Sequence, residues 1–387
     1  MSIVHTRWDI FCKVIDNYGD VGVSWRLATQ LAQAHHMRVR FWIDKPEVLA
    51  DLCTAFKIKS PKEPVVLCKH SIAIEVCHWQ ENVDYIANVV ISMFGCTLPN
   101  HYLVAMQHHL PCPLWYNLEY LSAETWVDRY HGMPSLKQNA PLIQHFFVPG
   151  FSEKSGGLLR DVALLERRDR WQEDVKNSQA LFDLLNLPAD TSATYHVCVF
   201  CYPNPALISL FKVWSKSKAP ITVMMPTASA LKSVEALFDV PLKSNQLLRL
   251  GSLNLKILPF VDQTIFTRLL WSCDCNIVRG EDSFVSALWA AKPFIWHVYP
   301  QHRAAHLIKL QAFIAHYTAH WDTNTASLWQ TIQERFNQHQ NIAKLWPLFF
   351  ENQKMIVEHA KSWAYQQAQH SDLATKLVQD ANKKLLK

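Results

Sequence analysis

Apolar positions along the chain follow two alternating rhythms. Trp8-Asp-Ile-Phe-Cys-Lys-Val-Ile15 has the composition of a strand and runs into the turn sequence Asp16-Asn17-Tyr18-Gly19-Asp20. From about Val23 the period changes: Val23, Leu27, Leu31 and Ala34 recur at helical spacing and predict an apolar stripe on a helix. Val39-Arg-Phe-Trp-Ile43 is the next strand and completes a β-α-β unit. Val65–Leu67, Val89–Met93 and His145–Val148 carry the strand series to about residue 150.

A polar, glycine-containing stretch, Ser152-Glu-Lys-Ser-Gly-Gly157, then marks a boundary, and a charged helix follows around Arg167–Arg170. The alternation restarts at Tyr195–Tyr202. Ile221–Met225, Leu255–Phe260, Cys275–Val278 and Pro293–Trp296 read as its later strands, and the tail from about Leu345 reads as helix. Strands alternating with helices predict α/β domains built on parallel sheets with both faces covered. Two such domains with a cleft between them are expected, and ligands belong beyond the carboxyl ends of the strands.

Composition agrees with this picture and narrows it. The chain has 387 residues, enough for two domains, and is 49% hydrophobic and 18% charged, which excludes disorder, collagen and coiled coil. Lys and Arg total 38 against 33 Asp and Glu, a mild and dispersed excess that neither requires an acidic partner nor suggests nucleic-acid binding. No stretch approaches the ~18 apolar residues of a membrane span. The segment Met1–Asp9 lacks a basic run followed by an apolar one, so a cytoplasmic protein without a signal peptide is expected.

Ten cysteines are scattered through the chain, mostly in apolar segments, and read as buried thiols. Cys198 and Cys201 have redox-motif spacing, but both fall in the expected strand Tyr195–Tyr202, where residues three apart face opposite ways. His302 and His306 share a face of an expected helix without a carboxylate companion, so no metal site is predicted. Only 9 glycines occur, and neither G-x-G-x-x-G nor G-x-x-x-x-G-K-[ST] is present. The usual dinucleotide and nucleotide-triphosphate loops are therefore excluded, and a bound phosphate would need a helix N-terminus with few glycines.

Two loops carry candidate chemistry. Asp16 and Asp20 stand in one strand-to-helix loop, with Gly19 and Gly22 allowing close approach of a ligand; ordinary turn and cap preferences account for the same residues. Arg279-Gly-Glu-Asp-Ser-Phe284 follows a strand and opens a helix. There Ser283 is placed to cap, Arg279 to pair with a phosphate, and the first-turn amides to favour negative charge. Glu281 and Asp282 either complement the helix dipole or hold sugar hydroxyls. Phe200, Tyr202, Phe260 and Phe266 stand near strand ends, where they serve either the core or a nucleobase. A carboxylate loop facing a nucleotide-diphosphate loop across the cleft suggests glycosyl transfer.

With these residues in place, the sequence resembles the EarP family, protein-arginine rhamnosyltransferases that modify elongation factor P in bacteria. The resemblance rests on V-I-D-N-Y-G-D-V-G-V-S-W-R-L-A near the start, L-P-F-V-D-Q at 258–263, and R-G-E-D-S-F-V with W-A-A-K-P-F-I-W-H-V-Y-P-Q at 279–301. W-A-A stands where W-A-G is commoner, away from any proposed catalytic group.

The resemblance implies a GT-B fold with two Rossmann-like domains. Residues 1–155 would bind the acceptor and 191–354 the nucleotide sugar, with 156–190 connecting them and the tail 355–387 packing back on the first domain. It further implies that Asp16 and Asp20 are essential carboxylates, with Glu281 a third catalytic group. Arg279, Asp282 and Ser283 would surround the donor diphosphate and sugar. Phe200, Tyr202, Phe260, Gln263 and Phe266 would line the thymidine and ribose pocket, and Tyr299 would contact a donor phosphate. The implied reaction is inverting transfer of L-rhamnose from dTDP-β-L-rhamnose to an arginine of elongation factor P, without metal, nucleic acid or membrane, in support of translation through polyproline stretches. Two alternatives share the same motifs: a transferase for a small-molecule or lipid acceptor, and a nucleotide-sugar-binding regulator without activity.

Overall fold

A computed structural model describes residues 6–15, 18–53, 65–69, 72–80, 83–135, 141–187, 194–227 and 229–386. The chain divides into two compact units, Met1–Val162 with Ala368–Lys387, and Ala163–Gln367. The boundary lies after the polar stretch at 152–157, and the segment expected to connect the domains forms two helices of the second unit.

The first unit runs β1 (Arg7–Cys12), α1 (Tyr18–Ala34), β2 (Arg38–Ile43), α2 (Pro46–Leu52), β3 (Val65–Lys69), β4 (Ile72–His78), β5 (Val89–Met93), α3 (Asn100–His108), β6 (Leu114–Leu118), α4 (Val127–Tyr130) and β7 (Gln144–Phe147). The strands form one sheet in the order β3-β4-β2-β1-β5-β6-β7, parallel throughout except for β3 against β4. Strands buried on both faces need apolar residues at nearly every position, and β1 shows how the faces divide. Trp8, Ile10 and Cys12 join Leu27 and Leu31 of α1 in one core layer. Phe11 joins Trp42, Tyr102 and Met106 in the other. The buried charged residue of β1, Asp9, is neutralised in place: Arg40 of β2 grips it through Nε at 2.7 Å, and Tyr102 also donates to it.

The second unit runs α5 (Leu164–Glu173), α6 (Val175–Leu184), β8 (Tyr195–Val199), α7 (Ala206–Trp214), β9 (Ile221–Pro226), β10 (Leu247–Leu250), β11 (Leu253–Leu258), α8 (Gln263–Ser272), β12 (Cys275–Arg279), α9 (Asp282–Ala290), β13 (Phe294–His297), α10 (Ala305–Tyr317), α11 (Thr323–Asn337), α12 (Trp346–Glu351) and α13 (Gln353–Gln367). Its sheet has the order β10-β11-β9-β8-β12-β13, parallel except for β10 against β11. The last helix, α14 (Leu373–Leu385), belongs to the first unit, whereas α13 belongs to the second. The helical tail is thus shared out rather than returned whole.

Several local expectations change. The helix predicted from Val23 begins five residues earlier, at Tyr18, so Asp20 lies in its first turn. β8 stops at Val199, leaving Cys201 beyond the strand; both Cys198 and Cys201 are buried free thiols, and burial pushes the Cys201 thiol up to about 12. His302 and His306 do not belong to one continuous helix, because Arg303 and Ala304 of the short 3-10 turn before α10 take left-handed backbone (φ 55° and 56°). Among the described residues no helix is long and apolar enough to cross a membrane, and no group of three His, Cys, Asp or Glu could hold a metal ion.

Candidate active site

In the first unit the carboxyl ends of β1, β5 and β6 lie side by side, and the chain reverses its direction of winding between β1 and β5. That switch point is where an open α/β sheet presents a ligand site. Asp20 stands there, 3% exposed, in the first turn of α1, where the helix dipole favours a carboxylate. Its Oδ2 accepts the backbone N–H of Ile15 at 3.0 Å, and its Oδ1 accepts the Tyr120 hydroxyl at 3.3 Å. The Ser24 hydroxyl donates to the Asp20 carbonyl at 2.7 Å. As the third residue of the helix, Asp20 does not occupy the cap position that local turn preferences would give it. Asp16 lies outside the described residues.

The loop after β5 completes this edge. Phe94 takes φ 55° and Gly95 φ 68°. Left-handed backbone is unusual for an aromatic residue and costs on the order of 1–3 kcal/mol, so it persists only where the surroundings impose it. Here the Phe94 N–H donates to the Leu118 carbonyl at 2.6 Å, and the Gly95 N–H donates to Asn117 Oδ1 at 2.9 Å. Asn117 Nδ2 in turn donates to Glu119 Oε1 at 2.6 Å. The outcome is a Phe94 ring stacked on Tyr120 with centroids 4.3 Å apart.

In the second unit the candidate donor residues all sit at the carboxyl edge of one sheet. Phe200 and Tyr202 follow β8, Phe260 and Gln263 follow β11, Arg279 to Ser283 join β12 to α9, and Tyr299 follows β13. The Arg279 guanidinium lies over the Phe200 ring (4.5 Å) and the Tyr202 ring (4.9 Å), which fixes a rigid cation beside the start of α9. Phe266 is buried and packs edge-on against Phe200, supporting that ring. Tyr202 meets Tyr299 edge-on at 5.5 Å. Phe260 and Tyr299 are the open members of the group, 43% and 45% exposed.

Ser283 does not cap α9. Glu281 holds the cap position, and Ser283 is the second residue of the helix, where its hydroxyl donates to the Arg279 carbonyl and accepts the Arg279 N–H at 3.1 Å. The serine therefore clamps the turn that carries Arg279. Gly280 supplies the positive φ (58°) that this turn needs, and the Trp296 indole N–H holds its carbonyl at 2.8 Å. The acidic pair is partly neutralised by neighbours the motif does not contain. Glu281 is paired with Lys309 of α10 at 2.7 Å, and Asp282 accepts from Gln263 at 3.3 Å. With Glu281 paired and Asp282 held by a neutral amide, Arg279 and the first-turn amides of α9 supply the positive potential that a diphosphate needs.

His297 ends β13 level with Arg279 and is buried, with neither ring nitrogen hydrogen-bonded among the described residues. Burial, with His339, His306 and Arg279 nearby, holds its pKa down at about 3, so the imidazole is neutral at working pH. Below the unfolded value of ~6.5 the unfolded chain binds a proton that the folded chain refuses, so stability is lost as pH falls from there toward 3. His297→Leu should remove about 2 kcal/mol of this penalty at pH 5 and little at pH 8. Denaturant melts of both proteins at the two pH values measure it; equal differences at both would contradict the assignment.

Two parallel-dominated α/β units, one with a buried carboxylate and the other with a cation and helix start at the sheet edge, define a glycosyltransferase of the GT-B type. The chain belongs to the Elongation-Factor P (EF-P) rhamnosyltransferase EarP family, whose sequence profile matches residues 8–382. It is 40% identical to the protein-arginine rhamnosyltransferase of Shewanella oneidensis, with 98% of each chain covered. It is 38% identical to that of Pseudomonas putida, covering 96% of this chain and 97% of the other. A solved structure concerning EarP-mediated arginine glycosylation of translation elongation factor EF-P superposes with a TM-score of 0.70 and 28% identity, over 98% of this chain and 99% of that one.

Proposed function

We propose that the enzyme transfers L-rhamnose from dTDP-β-L-rhamnose to an arginine side chain of elongation factor P, inverting the anomeric centre. The observation that carries the reading is Asp20: a buried carboxylate at the switch point of the first sheet, in a family whose named relatives act on protein arginine. A guanidinium is a poor nucleophile, because its lone pair is delocalised and its pKa exceeds ~12. The nitrogen therefore loses its proton as it attacks, not before. In this mechanism the arginine nitrogen bonds to the anomeric carbon, the bond to the diphosphate oxygen breaks, Asp20 takes the proton and Asp16 orients the guanidinium fork. Glu281 holds sugar hydroxyls.

The departing thymidine diphosphate gains negative charge as its bond breaks. In this reading Arg279 and the α9 amides stabilise that charge, Ser283 fixes their turn through its hydrogen bond with the Arg279 N–H, and Tyr299 adds a phosphate contact. Phe200, Tyr202, Phe260, Gln263 and Phe266 would shape the thymidine and ribose pocket. Because protein groups supply the stabilising charge, transfer should proceed in EDTA; activity abolished by EDTA and restored by a divalent cation would contradict this. Arg279→Met should raise the donor KM about 10- to 100-fold, the range for a lost charge-assisted contact, and leave the acceptor KM alone. Initial rates against each substrate separate the two, and an unchanged donor KM would remove Arg279 from the diphosphate site.

A further inference from the structure

We propose that Tyr120 is a positioning residue for the reaction, holding the Asp20 carboxylate in its working orientation, with Phe94 holding Tyr120. The inference rests on the assignment of Asp20 as the proton acceptor and extends it to two residues outside the sequence motifs.

Three observations carry it. The Asp20 carboxylate is gripped at both oxygens by groups from different parts of the chain, the Ile15 N–H on Oδ2 and the Tyr120 hydroxyl on Oδ1. A carboxylate held at both ends cannot rotate freely, so its remaining lone pairs point in fixed directions. Tyr120 is itself 36% exposed, and its ring is stacked on Phe94 within 12° of parallel. Phe94 reaches that position only through left-handed backbone, imposed by the hydrogen bonds from its own amide and from Gly95 to the end of β6. Backbone strain accepted to seat a ring beside a phenol that reaches the proposed base is the pattern of a preorganised site. Local folding preferences alone would place glycine at position 94.

Because Tyr120 acts through Asp20, its effect should appear in turnover and disappear when the carboxylate is gone. Tyr120→Phe keeps the ring and its stack and removes only the hydroxyl. Its kcat should fall about tenfold, the weight of one hydrogen bond, with both KM values and the melting temperature unchanged. In an Asp20→Asn background the same substitution should have no further effect, which is the signature of a shared role. Phe94→Gly relieves the backbone strain but gives up the ring's packing against the core of the first unit, and among the molecules that remain folded it should lose several-fold in kcat. An unchanged kcat in Tyr120→Phe, or an equal loss in the Asp20→Asn background, overturns the inference while leaving the single Asp20→Asn result to judge the base. Wild-type turnover by Asp20→Asn itself would overturn both.

Discussion

Asp20→Asn should lower kcat by about 10² to 10⁴ while leaving the fold and the donor KM intact. The asparagine is isosteric, and its carbonyl oxygen can still accept one of the two hydrogen bonds now received from Ile15 and Tyr120. What it cannot do is take a proton. The size of the loss follows from the nucleophile: with a pKa above ~12, a guanidinium left to release its proton to water must form a cationic adduct first. Reorganisation of the first turn of α1 is a poor alternative explanation, because Ser24 still holds the backbone carbonyl at position 20. Single-turnover transfer with a preformed donor complex isolates the chemical step. Loss confined to acceptor binding would assign Asp20 to docking.

Removing residues 368–387 should unfold the first unit while leaving the second folded. α14 is not an appendage: Leu373, Ala374, Leu377, Val378 and Ala381 are buried within the same core cluster as the β1 and α1 side chains. Two leucines and a valine at ~1.5–3 kcal/mol each contribute on the order of 6 kcal/mol, comparable with the ~5–15 kcal/mol that holds a whole domain. Polar anchors reinforce the apolar ones. Tyr116 of β6 donates to Asp380 at 2.6 Å, and Gln30 of α1 donates to Asp372 at 2.7 Å. Since α1 carries Asp20, the truncation should also abolish transfer. Near-UV circular dichroism and limited proteolysis should show a stable fragment beginning near Ala163. A truncated chain melting like the intact one would show that α14 is dispensable.

Much of the fold was readable because its strands are buried on both faces and so stand out as apolar runs. β5 falls where Val89–Met93 predicts it, and β12 and β13 within a residue. β4, β6 and β10 escaped for different reasons. β6 is interrupted by the polar Asn117, whose side chain is spent on the Gly95 turn; β10 is an edge strand with every second residue exposed. The Arg279–Ser283 block stood out because its charged and hydroxyl residues are compressed into one strand-to-helix turn. Its details did not: Ser283 resembles a cap from its spacing, but the helix starts two residues too early for that role. Lys309 and Tyr120 left no local signal. Each meets its carboxylate across a long stretch of chain, 28 residues to Glu281 and 100 to Asp20, so only the folded sheet edge brings them together.

The most direct test is to incubate the purified enzyme with dTDP-β-L-rhamnose and elongation factor P, then weigh the intact acceptor and map the modified residue. One added deoxyhexose on a single arginine side chain is the predicted product. An acceptor of unchanged mass, or sugar appearing on water or a small molecule at the same rate without elongation factor P, would contradict the account.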